Sequence, residues 1–336
     1  AVVIVGALLA ASTGIVGATV VTMGLLSLPT MLRRKYDPHL ATGTIAASGT
    51  LGQIIPPSIV LVLLGSVMNI SVGDLFLAAI VPGSILVTVY IVYVLVIALI
   101  YPEKAPAATY EELEEFMGEG LGKRLFRAFV LPLLLIIAVL GSIFAGIASP
   151  TEAAGVGALV ATLLTAFEKK LSWKVLKAVM QETTYLTSMV FIILVGATAF
   201  GLVFRELGGD EAILGLLEST DLSPYMFLFA VMLIMFVAGF FIDFIEIIFI
   251  FIPIVKPVFE SYDMDLVWIA ILVSMNLQTS FLTPPFGFSL FYLKGVAPPS
   301  ITTGHLYRGI VPFIALQLIL IGIIAAFPEL VSVFAN

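Results

Sequence analysis

Apolar runs of about 20 residues, each long enough to cross a hydrocarbon core of ~30 Å as a helix, recur along almost all of this chain. Nothing else in the sequence limits the fold as strongly. In lipid every backbone N–H and C=O must find a partner inside the protein, which leaves helices or closed barrels. Barrel strands alternate apolar and polar residues over short segments. Continuous runs such as VTVYIVYVLVIALIY (87–101) do not alternate, so the fold class is all-α, a polytopic membrane protein. Composition agrees: 61% of the 336 residues are hydrophobic and 11% charged, against roughly 25% charged in a soluble domain.

The spans read as 1–32, 40–68, 75–101, 127–147, 153–168, 184–205, 224–258, 266–296 and 305–330. Between them, 103–124 and 168–182 read as amphipathic arms outside the membrane. The chain opens inside an apolar run, so a preceding segment is expected. A net charge of −7 and a pI near 4.9 leave no basic surface for nucleic acid. With no cysteine, thiolate metal sites and disulfides are excluded. His39 and His305 lie beside turn residues, where solvation is expected.

Two spans are broken at their centres, in ASGTLGQIIPPSIVL (47–61) and SMNLQTSFLTPPFG (274–287). Proline removes a backbone donor and blocks the carbonyl four residues back, so each Pro-Pro pair unwinds its helix. Unwound carbonyls are tolerated at membrane depth only where they line a cavity or bind something. Carbonyls beside a hydroxyl such as Ser48 or Thr50 suit a hard cation. The half-helix restarting at Ser58 turns its positive end inward, toward an anionic group. The second break offers Asn276, Gln278, Thr279, Ser280 and Thr283.

Aligning the Pro-Pro pairs exposes an internal repeat. YDPHL (36–40) matches YDMDL (262–266), and ISVGDLFLAAIVP (70–82) matches ITTGHLYRGIVP (301–312) with one gap. Arg33, Arg34 and Lys35 precede the first copy, while ESYDMD (260–265) precedes the second. Since Lys and Arg collect in cytoplasmic loops, the copies are expected upside down relative to each other. This closes only if 1–32 and 224–258 are re-entrant hairpins. The first inverted repeat is then 1–101, with hairpin 1–32, broken helix 40–68 and helix 75–101. Residues 102–183 supply arms and connecting spans. The second repeat is 184–336, with hairpin 224–258, broken helix 266–296 and helix 305–330. Inverted repeats with broken helices at the midplane characterise secondary transporters.

Asp243 and Glu246, in GFFIDFIEIIF, stand three apart and are expected on one helical face, to bind a cation or proton or to pair with a basic residue. Ser149 or Thr151 is expected to cap a helix in SPTEAAG. There is no HExxH, GxSxG or phosphate loop, so the chain is not expected to be an enzyme.

GTIAASGTLGQIIPPS, ISVGDLFLAAIVPG, ASPTEAAGVGAL, GFFIDFIEIIFIFIP, and TPPFG followed by GVAPP together resemble the large membrane (M) subunit of TRAP transporters, the tripartite ATP-independent periplasmic family. Residues 27–65 are especially similar to its mannitol, chloroaromatic and 2-oxo acid branch. The resemblance implies Na⁺-coupled uptake of a small organic anion, a carboxylate, by an elevator movement in the bacterial inner membrane. It implies two partners, a periplasmic substrate-binding protein and a small membrane Q subunit. It also implies two Na⁺ sites, one from Ser12 and Thr13 at a hairpin tip with Gly52, Ile55 and Pro57, the other from Gly239, Ser280, Thr283 and Phe286. Ala10 stands where the family's tip has its first serine, and Ser280 where it has a glycine. Substrate is expected near Ser12, Thr13, Thr50, Gln53, Gln278 and Thr283. A stand-alone Na⁺- or H⁺-coupled carboxylate symporter is the alternative.

Overall fold

The computed structural model describes residues 1–107, 122, 126–209, 212, 215 and 223–334, and among these every regular element is helical. Most of the 103–124 arm and most of the acidic stretch 206–221 lie outside the described residues. Helices α1 (Val2–Thr13) and α2 (Val16–Leu26) form a hairpin that α3 (Leu28–Arg33) extends. Helix α4 (Pro38–Thr50) runs through a 3-10 turn, Leu51–Gln53, into the first Pro-Pro, after which α5 (Ile59–Met68) and α6 (Val72–Ile100) follow. Then come α7 (Leu131–Phe144), α8 (Pro150–Phe167) and α9 (Trp173–Glu206). The second set is a hairpin of α10 (Pro224–Ala238) and α11 (Phe244–Ser261), then α12 (Leu266–Leu282), the second break, α13 (Phe288–Val296), α14 (Thr303–Ala326) and α15 (Glu329–Ser332). Among the described residues, five helical stretches are long and apolar enough to cross a membrane: Val16–Arg33, α6, α8, α9 and α14.

Side-chain contacts fix the direction of the central helices. The His39 and His305 rings meet edge-on at 4.9 Å, and His39 Nδ1 lies 3.2 Å from the His305 carbonyl. The starts of α4 and α14 therefore lie together, and the histidines are half-buried against each other rather than solvated as the sequence suggested. At the far end, Trp268 Nε1 donates to the Ile324 carbonyl at 2.9 Å, so α12 starts where α14 finishes. Helices α4 and α12 thus run antiparallel. Between them α4 and α14 cross at two glycines, since a Cβ at Gly43 would overlap the Gly309 carbonyl and one at Gly309 the His39 carbonyl. Small residues at the crossing let the backbones touch.

The hairpins open toward opposite ends. Ala1 and Ser27 line one cavity beside Arg34, so the first hairpin's base sits at the α4-start end. That end collects Arg33, Arg34 and Lys35, with Lys104, whose carbonyl accepts from Asp37 N–H. The second hairpin's base sits at the other end, where Phe227 packs on Phe259 and Tyr262 and Tyr225 faces Trp268. Each hairpin's second helix leans on the other set: α2 on α13 and α11 on α5.

The two sets share one register. Lys35 and Asp263 both take positive φ, Asp37 and Asp265 both cap the following helix, and each chain then reaches its cis Pro-Pro bond. These pairs hold a constant offset of 228 residues. The YDPHL–YDMDL match is two residues out of that register, because the capping carboxylate is Asp265 rather than Asp263.

Two further expectations are corrected. The 168–182 arm from Trp173 onward and the 184–205 span are one continuous helix, α9, of 34 residues. No proline or glycine interrupts it before Gly196. At 1.5 Å per residue it is about 50 Å long, more than a ~30 Å core, so one end with Lys174 and Lys177 projects beyond. Asp243 is not inside a helix: it is the N-cap of α11, accepting from Phe244 N–H at 2.7 Å, and Glu246, three residues on, lies in the first turn. The capping expectation resolves to Ser149, which forms a capping box with Glu152 at the start of α8.

Candidate functional site

Two junctions between a hairpin tip and a broken helix occupy the centre of the molecule. In the first, α1 ends at Gly14, whose φ of 65° turns the chain into α2. The last turn of α1 lies directly on the 3-10 turn after α4: a Cβ at Gly52 would stand 2.6 Å from the Ala10 carbonyl oxygen. Gly6 meets Ser48 in the same way, a Cβ at 6 standing 2.5 Å from the Ser48 Cβ. Ser12 Oγ donates to the Leu9 carbonyl at 2.9 Å and Thr13 Oγ1 to the same oxygen at 2.8 Å. Thr13 and Thr19 hydroxyls lie 2.6 Å apart across the turn. Each hydroxyl proton is thus engaged locally, which leaves oxygen lone pairs for a further partner.

In the second junction the glycine stands on the hairpin. Gly239 ends α10, and a Cβ there would overlap the Ser280 Oγ and stand 2.6 Å from the Ser280 Cβ. Ser280 occupies the register position of Gly52, so the contact is kept with its glycine moved to the facing chain. Thr283 caps the end of α12, its Oγ1 donating to the Thr279 carbonyl at 2.8 Å. Phe244, Phe281, Phe288 and Phe286 follow one another at centroid distances of 5.7, 5.0 and 5.9 Å, leading from the hairpin to the break.

Direct bonds tie the junctions together. Ser274 Oγ on α12 donates to the Gln53 carbonyl at 2.9 Å, which also accepts from Ser58 Oγ at 2.6 Å. Ser289 Oγ on α13 donates to the Ala46 carbonyl at 3.1 Å. Tyr307 holds the unwound Pro285 carbonyl at 2.8 Å. The sequence reading passed over Thr19, Ser274, Ser289 and Tyr307; the available signal was a hydroxyl within an apolar helix beside a break.

The structure therefore brings Ser12, Thr13 and Gly52 to one junction, and Gly239, Ser280 and Thr283 to the other. Ile55 and Pro57 lie on the unwound segment of the first break, and Phe286, 54% exposed, on that of the second. Neutral oxygens from hydroxyls and unwound backbone, held together by close glycine contacts, are the donor type that a hard cation takes. Thr50 donates to the Ala47 carbonyl at 2.9 Å and is buried. Gln53 and Gln278 are also fully buried, and neither side-chain amide has a hydrogen-bond partner. In this conformation these three do not present a surface to a substrate. Among the described residues, neither Asp243 nor Glu246 has a basic partner, and no three His, Asp or Glu side chains form a metal cluster. Both carboxylates sit at a helix N-terminus, where the backbone dipole favours them.

The family model described as "Tripartite ATP-independent periplasmic transporter, DctM component" matches residues 1–330. The chain is 30% identical, over 98% of its own length and 75% of the relative's, to a C4-dicarboxylate TRAP transporter large permease protein of Pseudomonas aeruginosa. It is 29% identical to a sialic acid TRAP transporter large permease protein of Vibrio cholerae, covering 91% of this chain and 70% of that one. It is 28% identical to an ectoine TRAP transporter large permease protein of Halomonas elongata, covering 96% and 74%.

Proposed function

Because this chain belongs to the DctM family of TRAP transporter permeases, multi-pass membrane proteins of transport and not enzymes, we propose that it carries out Na⁺-coupled uptake of a small carboxylate across a bacterial inner membrane. One observation carries the reading. Each broken helix meets a hairpin tip at a glycine contact too close for any side chain, and the two junctions are bonded to each other through Ser274–Gln53 and Ser289–Ala46. We read these contacts as one central site built from two copies of one device, an arrangement in keeping with an inverted repeat.

Ser12 and Thr13 hydroxyls with backbone at Gly52, Ile55 and Pro57 would hold one Na⁺. Gly239, Ser280, Thr283 and Phe286 would hold a second. Both sets use neutral oxygens, so each bound cation adds a full positive charge beside the half-helix ends at Ser58 and Phe288, and an anion is drawn to the same place. Binding of anion and cation then favour each other, the coupling a symporter needs. The relatives' substrates, C4-dicarboxylates, sialic acid and ectoine, share a carboxylate and little else, so carboxylate is the class proposed here. In keeping with a tripartite system, a periplasmic binding protein would deliver the substrate and a small Q subunit would brace the permease. An elevator movement would carry the two junctions as one body, which their mutual bonds favour.

The test is uptake into proteoliposomes containing the full-length permease and its Q partner, with a Na⁺ gradient and with or without the cognate binding protein. Accumulation that requires both supports the proposal. Accumulation without the binding protein points instead to a stand-alone symporter, and indifference to Na⁺ removes the two cation sites.

A further inference from the structure

A cavity of about 220 Å³ lies between α13 and the first turns of α14. Pro285 and Phe286, on the unwound segment of the second break, line it. So do Lys294, in the last turn of α13, and Thr303, at the start of α14. Lys294 stands about 9 Å along α13 from Phe288, so the cavity runs from the break to the far end of that helix. Tyr307, in the same wall, ties α14 to the break through the Pro285 carbonyl. The start of α14 lies beside that of α4. That is the end where Arg33 and Lys35 collect, expected in the cytoplasm.

The far end of the cavity carries charge of one sign. Lys294 Nζ donates to the Ile301 carbonyl, closing the loop after α13. That bond uses one of three ammonium donors. No acidic side chain lines the cavity, and among the described residues Lys294 has no carboxylate partner. Helix α14, 24 residues long, starts at the cavity, and the positive end of its dipole adds to the lysine. Its capping box joins Thr302 to His305 and leaves the exposed Thr303 outside it. Phe286, Leu290 and Leu306 make the rest of the wall apolar. An ammonium and a hydroxyl beside an apolar wall fit a carboxylate with a hydrocarbon body.

We infer that this cavity is an inner anion site, in which Lys294, at the mouth that Thr303 forms, takes the carboxylate of the transported anion after it leaves the second junction. The identity of the anion rests on the transport reading above; the charge and shape of the site do not. Lysine meets a carboxylate as a hydrated point charge, without the two-pronged grip of arginine. Such a contact suits a release step better than a tight one would.

The test uses the full-length permease in detergent with Phe291→Cys, an exposed position in the cavity wall, and subtracts labelling of the parent. Anionic sulfonatoethyl methanethiosulfonate should react faster than its cationic trimethylammonioethyl counterpart. Lys294→Gln keeps an N–H donor for the Ile301 carbonyl and removes the charge. It should lower the ratio of the two rates about five-fold, because one charge acts on the reagents in opposite senses; Lys294→Arg should keep it. Succinate should slow labelling where neutral succinamide does not. A ratio unchanged by Lys294→Gln, or no protection by succinate, overturns the inference. Protection by dioleoyl-phosphatidylglycerol and not by succinate overturns it in favour of a lipid headgroup. In proteoliposomes, Lys294→Gln should slow Na⁺-driven uptake at an unchanged half-maximal Na⁺ concentration, and undiminished uptake would take the site out of the transport path. Absence of Na⁺-driven uptake in the parent, with succinate protection intact, would overturn the transport reading and support the anion site alone.

Discussion

Gly52 and the Ala10 carbonyl meet so closely that a Cβ at position 52 would stand 2.6 Å from the oxygen. In the second copy the same register position is Ser280, and the glycine has crossed to the hairpin as Gly239. One partner of each contact lacks a side chain, and which partner it is differs. A single rule of close approach thus explains both glycines and the tolerance of a serine at position 280.

Gly52→Ala should therefore act on the junction rather than on a generic helix position. The new Cβ meets backbone, which cannot rotate away, so the hairpin tip must shift; overpacking of this kind costs about 1–3 kcal/mol. We expect Na⁺-driven uptake to fall at least ~10-fold, since about 1.4 kcal/mol is a factor of ten. Gly295→Ala, where nothing lies near the added Cβ, should transport normally. Uptake and thermal unfolding of the two variants in parallel check this, and equal activity would remove the junction from the mechanism.

Thr13 offers a test of the first cation site. Its hydroxyl bridges the Leu9 carbonyl and Thr19 Oγ1. Thr13→Ala should raise the Na⁺ concentration for half-maximal uptake about ten-fold, the worth of roughly one oxygen ligand at ~1.4 kcal/mol. Thr13→Ser should restore it. Thr19→Ala, which leaves the Leu9 bond in place, should shift it less. A Na⁺ titration of uptake rates separates the three, and a maximal rate lost without any Na⁺ shift would assign Thr13 to the fold alone.

Much of this arrangement was legible from residue patterns, and its limits have physical causes. The apolar runs and the Pro-Pro pairs announce helices and breaks because both act locally. The opposite openings of the hairpins are expected from loop charge and the repeat; the His39–His305 and Trp268–Ile324 contacts give the directions of α4, α12 and α14 in the structure. Three features stayed hidden. Small residues in ATGTIAASGT read as polar and functional, yet residues 40–50 are all buried and several are small because other backbones press on them, as Gly309 does on Gly43. Gln53 and Gln278 are expected as substrate contacts, and what the sequence does not show is that both amides are buried without a hydrogen-bond partner, since amides look alike in sequence whatever surrounds them. Asp243 reads as helical because its neighbours are apolar; the turn that Gly239 begins is what makes it a cap.

Asp243 accordingly has two separable roles, capping α11 and carrying charge at the second hairpin's tip. Asn caps about as well as Asp, whereas Ala loses the cap at a cost of ~0.5–2 kcal/mol. Asp243→Asn should keep the thermal midpoint close to that of the parent, and Asp243→Ala should lower it. If the charge serves ion or proton coupling, uptake falls in both variants; full uptake in the Asn variant would leave the residue a cap and nothing more.

The opposed hairpins make a prediction about sidedness. These 336 residues hold no cysteine, so labelling of each single-cysteine variant is read against the parent protein. Thr30 lies at the base of the first hairpin and Ser223 at that of the second, and both are exposed. With the basic end cytoplasmic, a membrane-impermeant maleimide added to intact cells should label Ser223→Cys at once. Thr30→Cys should react only after the membrane is opened. Labelling of both from the same side would contradict the antiparallel course of α4 and α12 across the bilayer. Labelling with the sides exchanged would keep the inverted arrangement and reverse its orientation.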